Sequence, residues 1–265
     1  MSVLHKLIRT VQERYEYLYE LLIQHILLSL AAIAIITIIG VATGIAILYK
    51  PRLRNTVLGA VNFLYTIPSI AMFGLFIPLI GIGYNNALIV LIIYGLLPII
   101  RNTFTGLNVV DPLLLDAAKG MGATEWQVFS RIRWPLAFPT IVSGFRTMVV
   151  MTIALAGLAS FIGAGGLGQA IYRGINTNNS ELILIGSISV ALLALVADLA
   201  IGGIEKSLKK KKGEISKKKR NCNLWLRYTG LFIMAAIGVF LLITNIGKSS
   251  DKTIVVATKP TAEQY

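Results

Sequence analysis

Three ionisable residues stand inside runs that are otherwise free of charge: Arg101, Arg146 and Asp198. In apolar surroundings a guanidinium or carboxylate must be paired or must face water. The sequence therefore predicts an ion pair between Asp198 and one of the arginines, with a gating role as the alternative; solute contact is disfavoured, since a cationic or zwitterionic solute would not favour two arginines. Tyr65, Phe73, Phe76, Tyr84 and Tyr94 offer ring faces that could cradle a quaternary ammonium by cation–π contact. Against this stands the plainer reading of packing and interface anchoring. Pro68, in Tyr65-Thr-Ile-Pro-Ser69, removes a backbone donor in mid-run. Either a kinked packing helix or a break facing a path through the membrane satisfies it, with Ser69 and Asn102 as further pathway candidates.

Two nucleotide-like signatures fail on context. Gly163-Ala-Gly165-Gly-Leu-Gly168 has the spacing of a dinucleotide loop but follows an apolar run of membrane length, with no strand pattern before it. Gly247-Lys-Ser249 lacks the second glycine of a phosphate loop, since Leu242 stands in that place. The lone Cys222 excludes a disulfide within the chain and any multi-cysteine metal site. No catalytic residue, metal or cofactor is expected.

The elements that position these residues are membrane spans. Of 265 residues 55% are hydrophobic and 14% charged, with a mean hydropathy of +0.74. Soluble domains average about 25% charged residues, which excludes a soluble enzyme. The net charge of +13 does not indicate nucleic acid, because nine of the 25 Lys and Arg fall between Lys206 and Arg220, flanking an apolar run. At roughly 20 apolar residues per bilayer crossing, six spans are predicted: His25–Leu48, Thr56–Ile80, Ala87–Leu107, Ile141–Ile162, Leu182–Ile204 and Trp225–Ile246. Loops after the odd-numbered spans hold fifteen Lys and Arg, whereas those after the second and fourth hold Arg173 alone. That imbalance puts the former in the cytoplasm and both termini outside. Residues 1–24 repeat apolar positions at helical spacing and read as an interfacial amphipathic helix.

The cytoplasmic segment 111–135 reads as a helix pair. Asp111 and Pro112 form an N-cap and first-turn proline. Ala117 and Ala118 keep one face thin, so that another protein's surface can approach. Gly122 permits a sharp turn, Thr124 caps a second helix, and Pro135 ends it before the next span.

This segment resembles the coupling loop of importer-type ABC permeases. Asp116-Ala117-Ala118, three residues, Gly122, nine residues, then Ile132-Arg-Trp-Pro135 follows the family's Glu-Ala-Ala-x3-Gly-x9-Ile-x-Leu-Pro, with Asp116 for Glu and Trp134 for Leu. Thr66-Ile-Pro-Ser69, Tyr94-Gly-Leu-Leu-Pro98-Ile-Ile-Arg-Asn-Thr103 and Phe161-Ile-Gly-Ala-Gly-Gly-Leu-Gly168 narrow the resemblance to glycine betaine/carnitine/choline permeases, over about residues 20–205. Lys252 to Tyr265 resembles the first strand and loop of that family's binding domain, and Ile254, Val255 and Val256, followed by a Thr-Lys-Pro turn, suit a buried strand.

The resemblance implies an all-α integral membrane protein: an importer-type ABC permease (MetI-like) core of five spans, a sixth tether span, and a truncated α/β binding domain at the C-terminus. The expected divisions are 1–24 amphipathic segment, 25–205 permease domain, 206–223 basic cytoplasmic linker, 224–247 tether span and 252–265 start of the binding domain. It implies a bacterial-type multi-pass protein of the cell membrane, dimeric with itself, served by two cytosolic ATPase subunits and a fused binding domain. The carried solute would be glycine betaine, choline, carnitine or ergothioneine. A membrane-anchored solute receptor without transport is the alternative. A secondary transporter is disfavoured, since no repeat is visible and Asp198 is the only clear acid within a span.

Overall fold

The structure, a computed structural model, describes residues 3–213. Helix α1 (Val3–Glu13) stops at Arg14, and α2 (Tyr15–Tyr49) follows at once. With 35 residues α2 is about 50 Å long, more than a bilayer core needs, so its first turns project beyond the apolar layer. Pro51 then opens α3 (Pro51–Thr66), followed by α4 (Ser69–Ile80). Gly81 and Gly83, with φ of 85° and 102°, turn the chain into α5 (Tyr84–Asn108). Two short helices, α6 (Pro112–Gly120) and α7 (Glu125–Val128), lead through a wide π-helical turn, Phe129–Arg133, into α8 (Trp134–Ala159). A 3-10 turn at Ser160–Ile162, α9 (Gly168–Asn176) and α10 (Ser180–Gly213) complete the described residues, among which there is no strand.

Helices α2, α5, α8 with its flanking turns, and α10 are long and apolar enough to cross a membrane, and the bent α3–α4 pair makes a fifth crossing if counted as one. They contain the expected spans at 25–48, 87–107, 141–162 and 182–204. The predicted span Thr56–Ile80 is two helices bent by 99°, so the alternative left open at Pro68 resolves as a break. The residue before a proline is pushed out of helical geometry, and Ile67 is extended at ψ 131°. Pro135 does not end a helix as expected; it lies in the first turn of α8. The Trp134 amide donates back to Phe129, five residues rather than four, and this wider turn makes room for the proline ring. Helix α9 was not foreseen, and α10 runs past the expected boundary at 206 without interruption. The sixth span, most of the basic linker and the 252–265 segment lie outside the described residues.

Bundle packing follows from small residues. Lipid is as apolar as leucine, so helices associate where backbones approach closely. Gly40 lies against Ile99, Gly44 against Thr103, Gly95 against Ile36, and Gly106 against Ala137 and Thr140. Leu28, Ile36, Leu91, Ile99, Leu107 and Met148 fill the space between α2, α5 and α8. The two ends of the bundle are distinct. Tyr49 meets Phe129 at one end, with ring centroids 6.4 Å apart. At the other the Gly83 amide donates to the Ile162 carbonyl at 2.8 Å, and Lys6 pairs with Glu181 at 4.0 Å. This segregation matches the alternation expected from the basic loops.

A Cβ on Gly44 would sit 2.6 Å from Thr103 Cβ and 3.2 Å from the Ile100 carbonyl, whereas one on Gly59 would meet nothing within 4 Å. Gly44→Leu is expected to destabilise the purified protein by about 1–3 kcal/mol as an overpacked seam. Gly59→Leu should leave the thermal midpoint in detergent unchanged or raised. Equal midpoints for both variants would refute this account of the packing.

Candidate functional site

At the end of the bundle that carries the basic loops, 111–135 folds as the helix pair the sequence predicts. Asp111 Oδ1 accepts from the Leu113 amide at 2.9 Å. Gly122 has φ of 87° and open space where a side chain would be. Thr124 and Gln127 cap α7 reciprocally, the Thr124 amide donating to Gln127 Oε1 at 2.9 Å and the Gln127 amide to Thr124 Oγ1 at 3.3 Å. Lys119 and Glu125 tie the two helices at 2.5 Å.

The pair has its own small core of Val110, Leu115, Ala118 and Val128, with Ile132 and Leu136 packed against it. This corrects the expectation for the two alanines: Ala117 is exposed and keeps the outer face thin, but Ala118 is buried and serves the internal core. Asp116 and Gly122 are exposed, whereas Ile132 and Pro135 are half-buried at the root of the unit. Its outer surface presents Leu113 (77% exposed), Met121 (83%) and Trp126 (72%).

An aromatic series missed by the sequence reading joins this unit to the bundle. Trp126 stacks on Phe129 at 5.9 Å, Phe129 meets Trp134 at 6.0 Å, and Trp134 meets Phe138 at 6.5 Å, while Tyr49 at the end of α2 also touches Phe129. The residues were visible in sequence, and Trp126/Phe129 and Trp134/Phe138 sit at ordinary helical spacing. The step from Phe129 to Trp134, five residues, is closed by the π-helical turn.

The second candidate region is the break at Ile67–Pro68. Tyr65 is 41% exposed, its ring 5.8 Å from that of Tyr94 and its hydroxyl donating to Met151 Sδ at 3.4 Å. Tyr94 is buried and donates to the Ile67 carbonyl, closing the break. Phe73 is also buried and Phe76 half-buried, while Tyr84 is exposed at the far end of α5. Pro68 is exposed and Ser69 half-buried at the start of α4. Of the aromatic candidates, the break thus displays Tyr65. Asn102 faces elsewhere: its amide donates to the Pro98 carbonyl at 2.8 Å, and its side chain fills the space above Gly144.

The expected ion pair is present and larger than expected. Arg146 meets Asp198 through two bonds of 2.6 Å, Nε to Oδ1 and Nη2 to Oδ2, and its Nη1 reaches Glu205 Oε2 at 3.1 Å. Gly202 leaves room for the guanidinium, which would lie 3.0 Å from a Cβ there. Glu205 had been placed just beyond its span, yet it follows Asp198 by seven residues and so shares its helix face. That spacing was the available signal. Arg101 is not part of this group; its Nη2 donates to Asn62 Oδ1 at 3.0 Å.

The glycine-rich segment 163–168 forms a seam at the opposite end of the bundle. The Gly166 amide donates to Gln24 Oε1 at 3.1 Å, Ser160 donates to the Gly165 carbonyl at 2.5 Å, and nearby His25 Nε2 bonds the Ile153 carbonyl at 3.0 Å.

Apolar spans around small-residue seams, one broken span and a helical knob at the basic end define a multi-pass membrane permease of the importer type. More particularly, the chain belongs to the family of binding-protein-dependent transport system inner membrane components, whose pattern matches residues 36–210. The ergothioneine transport permease/ergothioneine binding protein EgtU of Helicobacter pylori is 41% identical over 234 residues, 87% of this chain but 42% of that protein. The chain therefore spans under half the length of that relative. The carnitine transport permease OpuCB of Listeria monocytogenes is 44% identical over 182 residues, 69% of this chain and 84% of its own length. Among solved structures, an inward-facing MetNI methionine ABC transporter superposes with a TM-score of 0.63 at 22% identity, covering 70% of this chain and 93% of that one.

Removing one member of the Arg146 group gives an ordered result. Arg146→Gln leaves the two carboxylates of α10 without their cation, whereas Asp198→Asn leaves the guanidinium on Glu205. Arg146→Gln is expected to lower the thermal midpoint and the membrane yield more than Asp198→Asn. The reverse order, measured on purified protein, would remove the structural role of the group.

Proposed function

We propose that this chain is the membrane-spanning subunit of an ATP-driven importer for quaternary-ammonium or betaine-type solutes, such as glycine betaine, choline, carnitine or ergothioneine. It works as a homodimer with two cytosolic ATPase subunits, on which ATP is hydrolysed, and with a solute-binding domain fused at its C-terminus. The solute class rests on relatives whose names state ergothioneine and carnitine transport.

One observation carries this reading: the 111–135 unit exposes Leu113, Met121 and Trp126 while being tied by stacked rings to two spans. Exposed large apolar side chains gathered on a small unit call for a protein partner. A knob that merely floated would transmit nothing. Here Trp126, Phe129 and Trp134 join α7 to α8, and Tyr49 joins the same ring to α2. Closure of the ATPases on ATP would move the knob, and the rings would pass that motion on as a rigid body rather than absorb it. Asp116, Ala117 and Gly122 lie on its exposed surface, where they would meet the ATPase. Ala118, Ile132 and Pro135 set its shape.

Gly122 separates shape from contact. A Cβ there meets no neighbour, but at φ of 87° any other residue is strained. Gly122→Asp is expected to abolish solute-stimulated ATP hydrolysis in the assembled transporter, leaving membrane insertion intact. Gly120→Ala, helical and equally open, should retain it. Coupled turnover at the normal rate in Gly122→Asp would exclude this role for the loop.

A further inference from the structure

Arg101 stands out once the other charged groups near it are assigned. From Asn55 to Leu107 it is the sole charged residue; the first turn of α3 carries Arg52 and Arg54, the latter lying over the Phe104 ring at 5.6 Å. Helix α8, packed against α5, contains only Arg146, which Asp198 and Glu205 already hold. Among the described residues Arg101 has no carboxylate partner. Its one side-chain bond is to the neutral Asn62, and it is exposed. An unpaired guanidinium in a membrane-spanning helix is costly, and the usual remedy, a protein carboxylate, is missing from its surroundings.

The missing counter-charge has a place to sit. Asn62, which orients the guanidinium, precedes Tyr65 by three residues on α3, so the two share a face about 5–6 Å apart at Cβ. Tyr65 is held in place by Met151 and Tyr94 yet keeps its ring exposed. A cationic site and an aromatic face therefore lie about one helical turn apart beside the break. Their complement is a small molecule with a carboxylate at one end and a quaternary ammonium at the other: the carboxylate on Arg101, the ammonium over the Tyr65 ring.

We infer that Arg101 and Tyr65 form a subsite in the translocation path for zwitterionic trimethylammonium solutes, in which the solute's own carboxylate neutralises Arg101. This rests on the importer reading above and narrows it. Glycine betaine, carnitine and ergothioneine carry the required carboxylate, and choline does not. The arginine that would repel a bare cation is, for a zwitterion, the group that selects it. Asn62 is a positioning residue that holds the guanidinium toward the ring.

The test is solute uptake into vesicles by the full-length chain assembled with its ATPase, comparing glycine betaine with choline. Arg101→Gln is expected to lower kcat/KM for glycine betaine about tenfold, the loss of one charge-assisted contact, and to leave choline within about twofold. Arg101→Lys should lie between. Asn62→Asp decides between this role and a structural one, because it supplies a protein carboxylate to a guanidinium that stays in place. A structural role would be preserved or strengthened, whereas a solute-binding role is lost, so glycine betaine uptake should fall as in Arg101→Gln. Tyr65→Leu should weaken transport of both solutes, and Tyr65→Phe, which keeps the ring but loses the Met151 bond, should weaken it less. If Arg101→Gln impairs both solutes equally, or Asn62→Asp leaves glycine betaine uptake unchanged, the subsite is overturned while the importer reading stands. If the unaltered assembly moves no trimethylammonium solute, the importer reading fails and the subsite falls with it.

Discussion

Hydrocarbon offers no hydrogen bonds and no counter-ions, and that constraint accounts for the placement of several polar side chains among the described residues. A departure from continuous helix leaves backbone groups that lipid cannot satisfy, and at several of these a nearby side chain supplies the bond. The Tyr94 hydroxyl caps the Ile67 carbonyl at the break, and Thr66 turns back to Phe63 at 2.7 Å. Asn86 donates to both Phe73 and Gly81, at 3.2 and 2.8 Å, where α4 gives way to the glycine turn. The break at Pro68 is thus a built feature, closed on the protein side by Tyr94 and left open on the side of Tyr65.

The same constraint sorts the charges. Arg146, Asp198 and Glu205 satisfy one another across α8 and α10, and this group is intelligible without any ligand. Arg101 is not, since its surroundings supply an amide and no carboxylate. Two arginines that look equivalent in sequence therefore differ in their surroundings: Arg146 is met by two carboxylates, Arg101 among the described residues by an amide.

How much was legible in advance follows the range of each interaction. Apolar runs depend on local composition, so four of the expected spans fall within long apolar helices among the described residues. The helix pair at 111–135 was legible because its caps, Asp111 with Pro112 and Thr124 with Gln127, act within four residues. The Arg146–Asp198 pair was legible as a need for neutrality, although Glu205 was missed for lying one residue beyond a drawn boundary. What escaped depends on backbone register or tertiary geometry. The π-helical turn brings Phe129 onto Trp134 and carries Pro135 into α8. The burial of Ala118 depends on Val110 and Val128 folding over it, and α9 is a short amphipathic helix whose place is set by neighbours such as Leu21 and Leu167.

The two candidate regions are joined by shared helices rather than by a separate relay. The core of the 111–135 unit includes Val110, just past the end of α5, and takes in Leu136 at the start of α8. Those two helices also frame the break: Tyr94 and Arg101 belong to α5, Met151 to α8, and all three bear on Tyr65 or on its neighbour Asn62. Small-residue seams such as Gly106 against Ala137 and Gly144 against Asn102 pack α5 closely against α8. In the proposed cycle, a push on the cytoplasmic knob cannot shift one helix past the other without forcing these contacts apart. It must tilt the pair as one body. The least constrained partner is α3, which has no buried residue along its length and meets α4 at a proline hinge. Relative motion between the α5–α8 pair and α3 would therefore change the separation of Arg101 from Tyr65 first, so a solute held by both groups would be released by the same movement that ATP drives.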